Sequence, residues 1–308
     1  MLAQAGAFLG RVVALALGVL VLHAAAGAQD LEPRAYSAAP VGTNFVVFGY
    51  SRLDGDVLTD PSVPIKNVQA KIDVYVAGYA RTFELAGRTA SLGIVVPYAK
   101  GDISGEVFDD PREVHRSGLG DVRMRVAVNF FGNPPMTPQE FAKRTPELSA
   151  GASLSMVMPT GQYVPSRLVN VGTNRWAFKP EVGVSYPRGN WFFETSAGAW
   201  LYTDNDDFFG GKHRSQDALY VGQVHVGYNF RPGLWLAANA AYVTGGRTTV
   251  DGVRNDDKQD NSRYGLTFSM PFGRSWSGKI AWSKGFTVRA GGDYEVITVA
   301  LQYRWFDR

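Results

Sequence analysis

The side chains with most chemistry to offer recur at every second position in stretches that are otherwise apolar. Arg123 and Arg125 alternate with Val122, Met124, Val126 and Val128, and Arg175, Lys179 and Glu181 alternate with Trp176, Phe178 and Val182. Lys71 and Asp73 alternate with Ile72, Val74 and Val76, and Arg304 stands between Tyr303 and Trp305. A period of two sends successive side chains to opposite faces of an extended strand. Charges collected on one face can steer ions through a low-dielectric passage, or can pair with one another and brace a wall. Catalysis would ask for more. His225 shares a face with Gln223 and Asn229, and Ser196 or Ser277 could face it, but a serine hydrolase also needs a group to orient the histidine. Nothing nearby selects such a set, and no G-x-S-x-G occurs. The loop Asp204-Asn205-Asp206-Asp207 is not an EF-hand, because its twelfth position is Ser215. No enzyme, cofactor or metal site is expected.

The elements that must position these charges can be read from composition and periodicity. The chain has 308 residues, 45% hydrophobic and 19% charged, which is not the composition of a disordered protein. It carries 35 Gly, 18 Phe, 14 Tyr and 7 Trp, and no Cys. The absence of Cys removes disulfide scaffolds, thiolate metal sites and cysteine nucleophiles. The 31 basic and 28 acidic residues leave a net charge of only +3, without the clustered excess of Lys and Arg that a nucleic-acid partner calls for.

Residues 1–28 read as a secretory signal peptide. Val12–Leu22 is an unbroken apolar stretch, too short to span a bilayer as a helix, and Ala26-Gly27-Ala28 supplies the small residues of a cleavage site. Residues 29–308 are then a single exported domain, with no later apolar run long enough for a membrane helix.

About twelve alternating segments follow, near 42–53, 69–83, 89–100, 118–131, 148–158, 175–187, 190–203, 217–230, 233–244, 260–272, 275–286 and 293–306. Long connections rich in Asp, Gly, Pro and Arg tend to alternate with short ones such as Glu84–Arg88 and Arg231–Pro232. Long loops on one side and tight turns on the other predict an all-β fold, a single transmembrane antiparallel β-barrel of about twelve strands. Its long loops are extracellular and its turns mostly short and periplasmic. Trp176, Tyr186, Trp191, Trp276, Tyr303 and Trp305 fall near strand ends on the apolar face, where lipid-facing girdles belong. Unpaired backbone groups are costly in lipid, so such a sheet must close into a ring.

The face opposite the lipid should line the lumen of this bacterial outer-membrane barrel. Alternation assigns to it Lys71, Asp73, Arg123, Arg125, Arg175, Lys179, Glu181, Glu194, His225, Arg263, Lys279 and Arg304, together with Arg81. The balance leans basic. Two readings stay open, a path that favours anions such as aromatic carboxylates, or a narrow interior braced by pairs such as Lys179 with Glu181. The polar stretch Gln29–Pro40 precedes the first strand and reads as a short ordered tail, the alternative being a plug of the lumen from below.

Several stretches resemble the bacterial outer-membrane family described as "putative MetA-pathway of phenol degradation". They are Asp30–Phe45, Gly118–Arg123 (GLGDVR), Gly172–Glu181 (GTNRWAFKPE), Tyr202–Gly211, Arg231–Trp235 and Gly245–Thr248. The resemblance implies a membrane barrel and passive passage of small hydrophobic or aromatic compounds, and it supplies no functional residues. Partners would be outer-membrane lipid, lipopolysaccharide and those solutes. A barrel with a structural role, or an outer-membrane lipid hydrolase, is the alternative, and the oligomeric state is left open.

Overall fold

The computed structural model describes residues 31–59, 65–107 and 110–307. The expected signal peptide lies outside them. The alternating segments become the strands β1 (Thr43–Leu58), β2 (Ile65–Leu85), β3 (Arg88–Val107), β4 (Asp110–Leu119), β5 (Arg123–Phe131), β6 (Ser149–Val157), β7 (Ala177–Arg188) and β8 (Trp191–Tyr202). They continue through β11 (Leu219–Arg231), β12 (Leu234–Gly245), β15 (Gln259–Phe272), β16 (Trp276–Thr287) and β17 (Gly291–Phe306). Each is antiparallel to its neighbours, and β1 pairs with both β2 and β17 while β2 pairs with β3, so the sheet closes into a ring. β4 and β5 both pair with β3, one beyond the other, so the ring is twelve strands around. Alternation read β4 as loop because its sequence, DPREVHRSGL, carries few apolar side chains.

The outward face is a continuous apolar belt. Val182, Val184, Ile280, Ile297, Val299 and Leu301 are all exposed on it. Rings crowd its periplasmic rim, where Trp191 packs edge-on against Tyr228 at 5.1 Å and Trp276 against Tyr303 at 4.8 Å. A water-soluble protein would bury such a surface; here it meets lipid. Periplasmic turns are tight: Ala86 and Gly87, with φ of 49° and 72°, form the paired left-handed turn that suits the twist of a two-residue hairpin. One periplasmic connection is long and holds a short helix, α1 (Pro138–Lys143), capped by Thr137 and Glu140. The Thr137 N–H and hydroxyl hold the Glu140 carboxyl below its ordinary value.

On the extracellular side the long connections form a second small sheet of β9 (Asn205–Phe208), β10 (Lys212–Gln216), β13 (Thr248–Val250) and β14 (Val253–Arg254). The acidic loops are engaged by protein donors. His213 sits 3.3 Å from Asp204 and 2.8 Å from Asp206, and Asp257 accepts from the Thr248 N–H and hydroxyl at 2.8 and 2.6 Å.

Candidate functional site

The barrel's interior has two chemically distinct walls. On β1, β2, β3 and β17 the inward positions are Leu53, Val57, Ile65, Val68, Ala70, Ile72, Ile103 and Tyr294, which form one buried cluster. Val74, Val95, Val96's neighbour Pro97, and Ala99 share the parity of that face. From β5 through β8, and again on β15 and β16, the inward positions carry the charges, Arg123, Arg125, Lys179, Glu181, Glu194, Arg263 and Lys279 with Ser153, and the buried rings of Phe192 and Trp200 are set among them on β8.

This placement corrects the alternation on β2. Lys71 and Asp73 stand on the outer face, level in register with Asp54 and Arg52 of β1. There Asp73 accepts from the Tyr50 hydroxyl at 2.7 Å and from Arg52 at 3.0 Å, with Lys100 at 3.9 Å. Arg81 is also outside, paired with Asp307 at 2.6 Å where β1 and β17 close the ring. The reason is the apolar wall itself. Ile72, Val74 and Val76 are as apolar as lipid-facing residues, but on this side of the barrel the lumen is apolar too, and the charged face of β2 projects outward along the strand's extension.

The other sequence-derived residues face inward. Lys179 and Glu181 pair at 3.0 Å, both buried. Glu194 accepts from Ser185 at 2.8 Å, and its register partner His225 holds the Asn239 amide oxygen at 2.9 Å. Arg263 donates to Ser283 at 3.1 Å, and Lys279 lies 5.9 Å from the Trp235 ring centre. Arg175 is buried near the extracellular mouth, its guanidinium 4.4 Å from the Tyr202 ring and bonded to Gln216. Arg304 is inward by parity but sits at the periplasmic rim, donating to the Arg274 carbonyl at 3.3 Å.

Two inserted segments narrow the passage, one from each side. The stretch before β1 is not a tail. It rises into the lumen along the polar wall: the Tyr36 hydroxyl donates to Glu181 Oε1 at 2.9 Å and meets Ser153 at 2.9 Å, and Ser37 donates to Glu194 at 2.7 Å. The Arg34 backbone N–H also bonds Glu194, and its guanidinium lies over the Phe192 and Trp235 rings at 4.4 and 5.4 Å. Tyr36 lies flat on glycine, since a Cβ on Gly183 would fall 2.3 Å from its ring. From the extracellular side, the connection between β6 and β7 tucks Val169 into the apolar cluster. Asp121 pins it in place, accepting from Gly161 N–H at 2.8 Å and from the Thr173 N–H and hydroxyl at 2.9 and 2.6 Å. Two of the resembling stretches, GLGDVR and GTNRWAFKPE, thus meet at one buried carboxylate.

Alternation did not find Glu32, Arg34 and Tyr36, because a segment without strand periodicity announces no facing. It also left Trp200, Phe192 and Trp235 unassigned, although Trp200 and Phe192 share the parity of Glu194.

Residues 53–303 match the family described as "Putative MetA-pathway of phenol degradation". The chain belongs to that family. Among solved structures it is similar to the COG4313 outer membrane channel from Pseudomonas putida F1, with TM-score 0.77 and 21% identity over 90% of this chain and 100% of that one. It is similar also to the transport unit of the autotransporter AIDA-I from Escherichia coli, with TM-score 0.50 and 10% identity over 98% of each chain. No curated protein matches it. The fold of this family member is that of outer-membrane channels, and the barrel resides in the bacterial outer membrane.

Proposed function

We propose that this family member is a passive channel for small hydrophobic or aromatic compounds. The observation that carries the reading is the apolar inner wall of β17, β1, β2 and β3, with Leu53, Ile72 and Ile103 nearly fully buried on it. A pore that served only hydrated ions would have no use for such a face, whereas an apolar solute needs one along which to leave water. The family description points the same way, toward phenol degradation. No catalytic step is assigned: the His225 ring is engaged by the Asn239 amide oxygen at 2.9 Å. The residues that would line the path are Arg123, Arg125, Arg175, Lys179, Glu181, Glu194, His225, Arg263 and Lys279. Lipid and lipopolysaccharide would meet the outer belt and the charged cluster of Arg52, Asp73 and Lys100 above it.

The test is uptake of phenol and of a sugar of similar size by liposomes carrying the refolded protein. Faster entry of phenol than of the sugar, above protein-free liposomes, is the expected result. Equal entry of the two, or none above background from protein with heat-modifiable gel mobility, would sink the reading.

A further inference from the structure

The two inner walls meet between β3 and β5. Arg123 and Arg125 are the last cations on the polar side, and their register partners on β3 are Val95 and Gly93, followed on β2 by Gly78 and Ala80. A solute lying across this seam meets positive charge at one end and hydrocarbon at the other. The Arg125 guanidinium packs 5.2 Å from the Tyr36 ring centre, and its Nε and Nη2 atoms are buried with no hydrogen-bond partner among the described residues. Those two nitrogens form the side-on fork with which arginine grips both oxygens of a carboxylate. Along the register from Arg125 lie Ser155 and Lys179, and the Lys179 ammonium sits 5.5 Å from the Trp200 ring. Trp200 is 7% exposed, and its Nε1 is a third buried donor without an acceptor among the described residues. A buried donor left unbonded is costly, so a wall with several is suited to a ligand that accepts. Two carboxylates already stand among these cations, Glu181 on Lys179 at 3.0 Å and Glu32. Glu32, carried in by the segment before β1, is within electrostatic reach of Lys179, Arg125, Lys279 and Arg123.

We propose that this seam is a recognition site for small aromatic carboxylates, with the carboxylate on the Arg125 fork and the ring toward Val95 and the apolar wall. Lys179 and Trp200 flank the anion, and Glu32 is a built-in competitor for the same positive charge. The inference rests on the channel reading and narrows its solute class from aromatic compounds to aromatic acids.

Binding of benzoate, benzyl alcohol and acetate to the refolded protein in detergent, followed by titration calorimetry, tests it. Benzoate should bind more tightly than either of the others, since one lacks the charge and the other the ring. Arg125→Gln should weaken benzoate roughly 10- to 100-fold, the equivalent of about 1.4–2.8 kcal/mol, and leave benzyl alcohol unchanged. Trp200→Phe should weaken benzoate by less. Glu32→Gln should tighten benzoate binding, a gain that misfolding cannot produce. Equal binding of benzoate and benzyl alcohol, a benzoate preference that survives Arg125→Gln, or a Glu32→Gln variant that binds benzoate more weakly would each overturn the site. Liposome uptake separates the two proposals. Arg125-dependent benzoate binding without solute entry supports the site against the channel, whereas phenol entry with no benzoate preference supports the channel against the site.

Discussion

The two halves of this barrel look alike from the lipid and unlike from within. β17, β1, β2 and β3 present Leu53, Ile72, Ile103 and Tyr294 to the lumen, while β5 to β8 present Arg125, Lys179, Glu181 and Glu194. Each wall receives the inserted segment that matches it. The apolar wall takes Val169 from the extracellular connection, and the polar wall takes Tyr36 and Ser37 from the segment before β1. The difference follows from desolvation. Inside a narrow ring a charge must find partners, so the polar wall is a network, with Lys179, Glu181, Tyr36 and Ser153 joined end to end. The apolar wall needs only complementary shape. A lumen divided this way suits solutes that are themselves divided, and it keeps either insert from docking on the wrong side.

A charge moved to the wrong wall should break the comparison most severely. Ile72 is 3% exposed within the apolar cluster, and Ile72→Asp buries a carboxylate there, with Arg116, across Gly101 in register, already committed to the Val169 carbonyl at 2.8 Å. The expected cost is several kcal/mol, on the order of the barrel's whole margin, read as loss of the folded band in unheated gels. Ser155→Asp is the control on the other wall. It places the same carboxylate between Arg125 and Lys179 in register, and the folded band should persist. If both variants assemble equally well, the walls do not differ in the way described.

The network on the polar wall should respond to the loss of one member more than to the loss of two. Glu181→Ala strips the partner from buried Lys179 and an acceptor from Tyr36, which should cost about 3–5 kcal/mol. Replacing the pair together, Lys179→Met with Glu181→Leu, should recover most of that, because no buried charge is left alone. Denaturant titrations of the three proteins in detergent decide it; a double variant as unstable as the single one would mean that Glu181 acts chiefly through Tyr36.

Much of this was legible in the sequence, and the failures have physical causes. All twelve alternating segments fall on strands, because a closed membrane sheet forces period-two patterning wherever one face meets lipid and the other does not. The facing of Arg125, Lys179, Glu181 and Glu194 could be read because their wall contrasts polar with apolar. Lys71 and Asp73 were misplaced where that contrast inverts, since alternation reports that two faces differ and not which one is inside. The inserted segments were hidden for another reason. Tyr36 and Val169 are held by contacts that cross the lumen, and no local pattern encodes a partner more than a hundred residues away. Glycine carried a faint signal, since Gly151 and Gly183 stand next to each other in register beneath Tyr36.

That glycine floor offers a subtler way to loosen one wall's insert while leaving the wall intact. A Cβ on Gly183 would fall 2.3 Å from the Tyr36 ring, so Gly183→Val must displace the tyrosine or the strand, and the tyrosine yields more easily. Losing its seat should shift the segment toward release by about 1.4 kcal/mol, roughly tenfold in the populated open form. Single-channel recording should show larger or more frequent openings. Unchanged currents from folded protein would mean that Glu194, through Ser37 and the Arg34 backbone, holds the segment without help from Tyr36.

The smallest effect is expected outside, where the same residue types do a different job. Asp73 gathers Tyr50, Arg52 and Lys100 on the outer face, much as Glu181 gathers Tyr36 and Lys179 on the inner one. Arg52 and Lys100 are nearly half exposed, however, so water and salt screen them. Asp73→Asn should therefore cost about 1 kcal/mol or less, against several for Glu181→Ala, and high salt should erase the difference from the parent protein. The measurement is the denaturation midpoint of both variants at low and high salt in a neutral detergent. A cost for Asp73→Asn that matches Glu181→Ala, or that ignores salt, would mean that the outer cluster is desolvated, and the contrast between inside and outside would have to be redrawn around it.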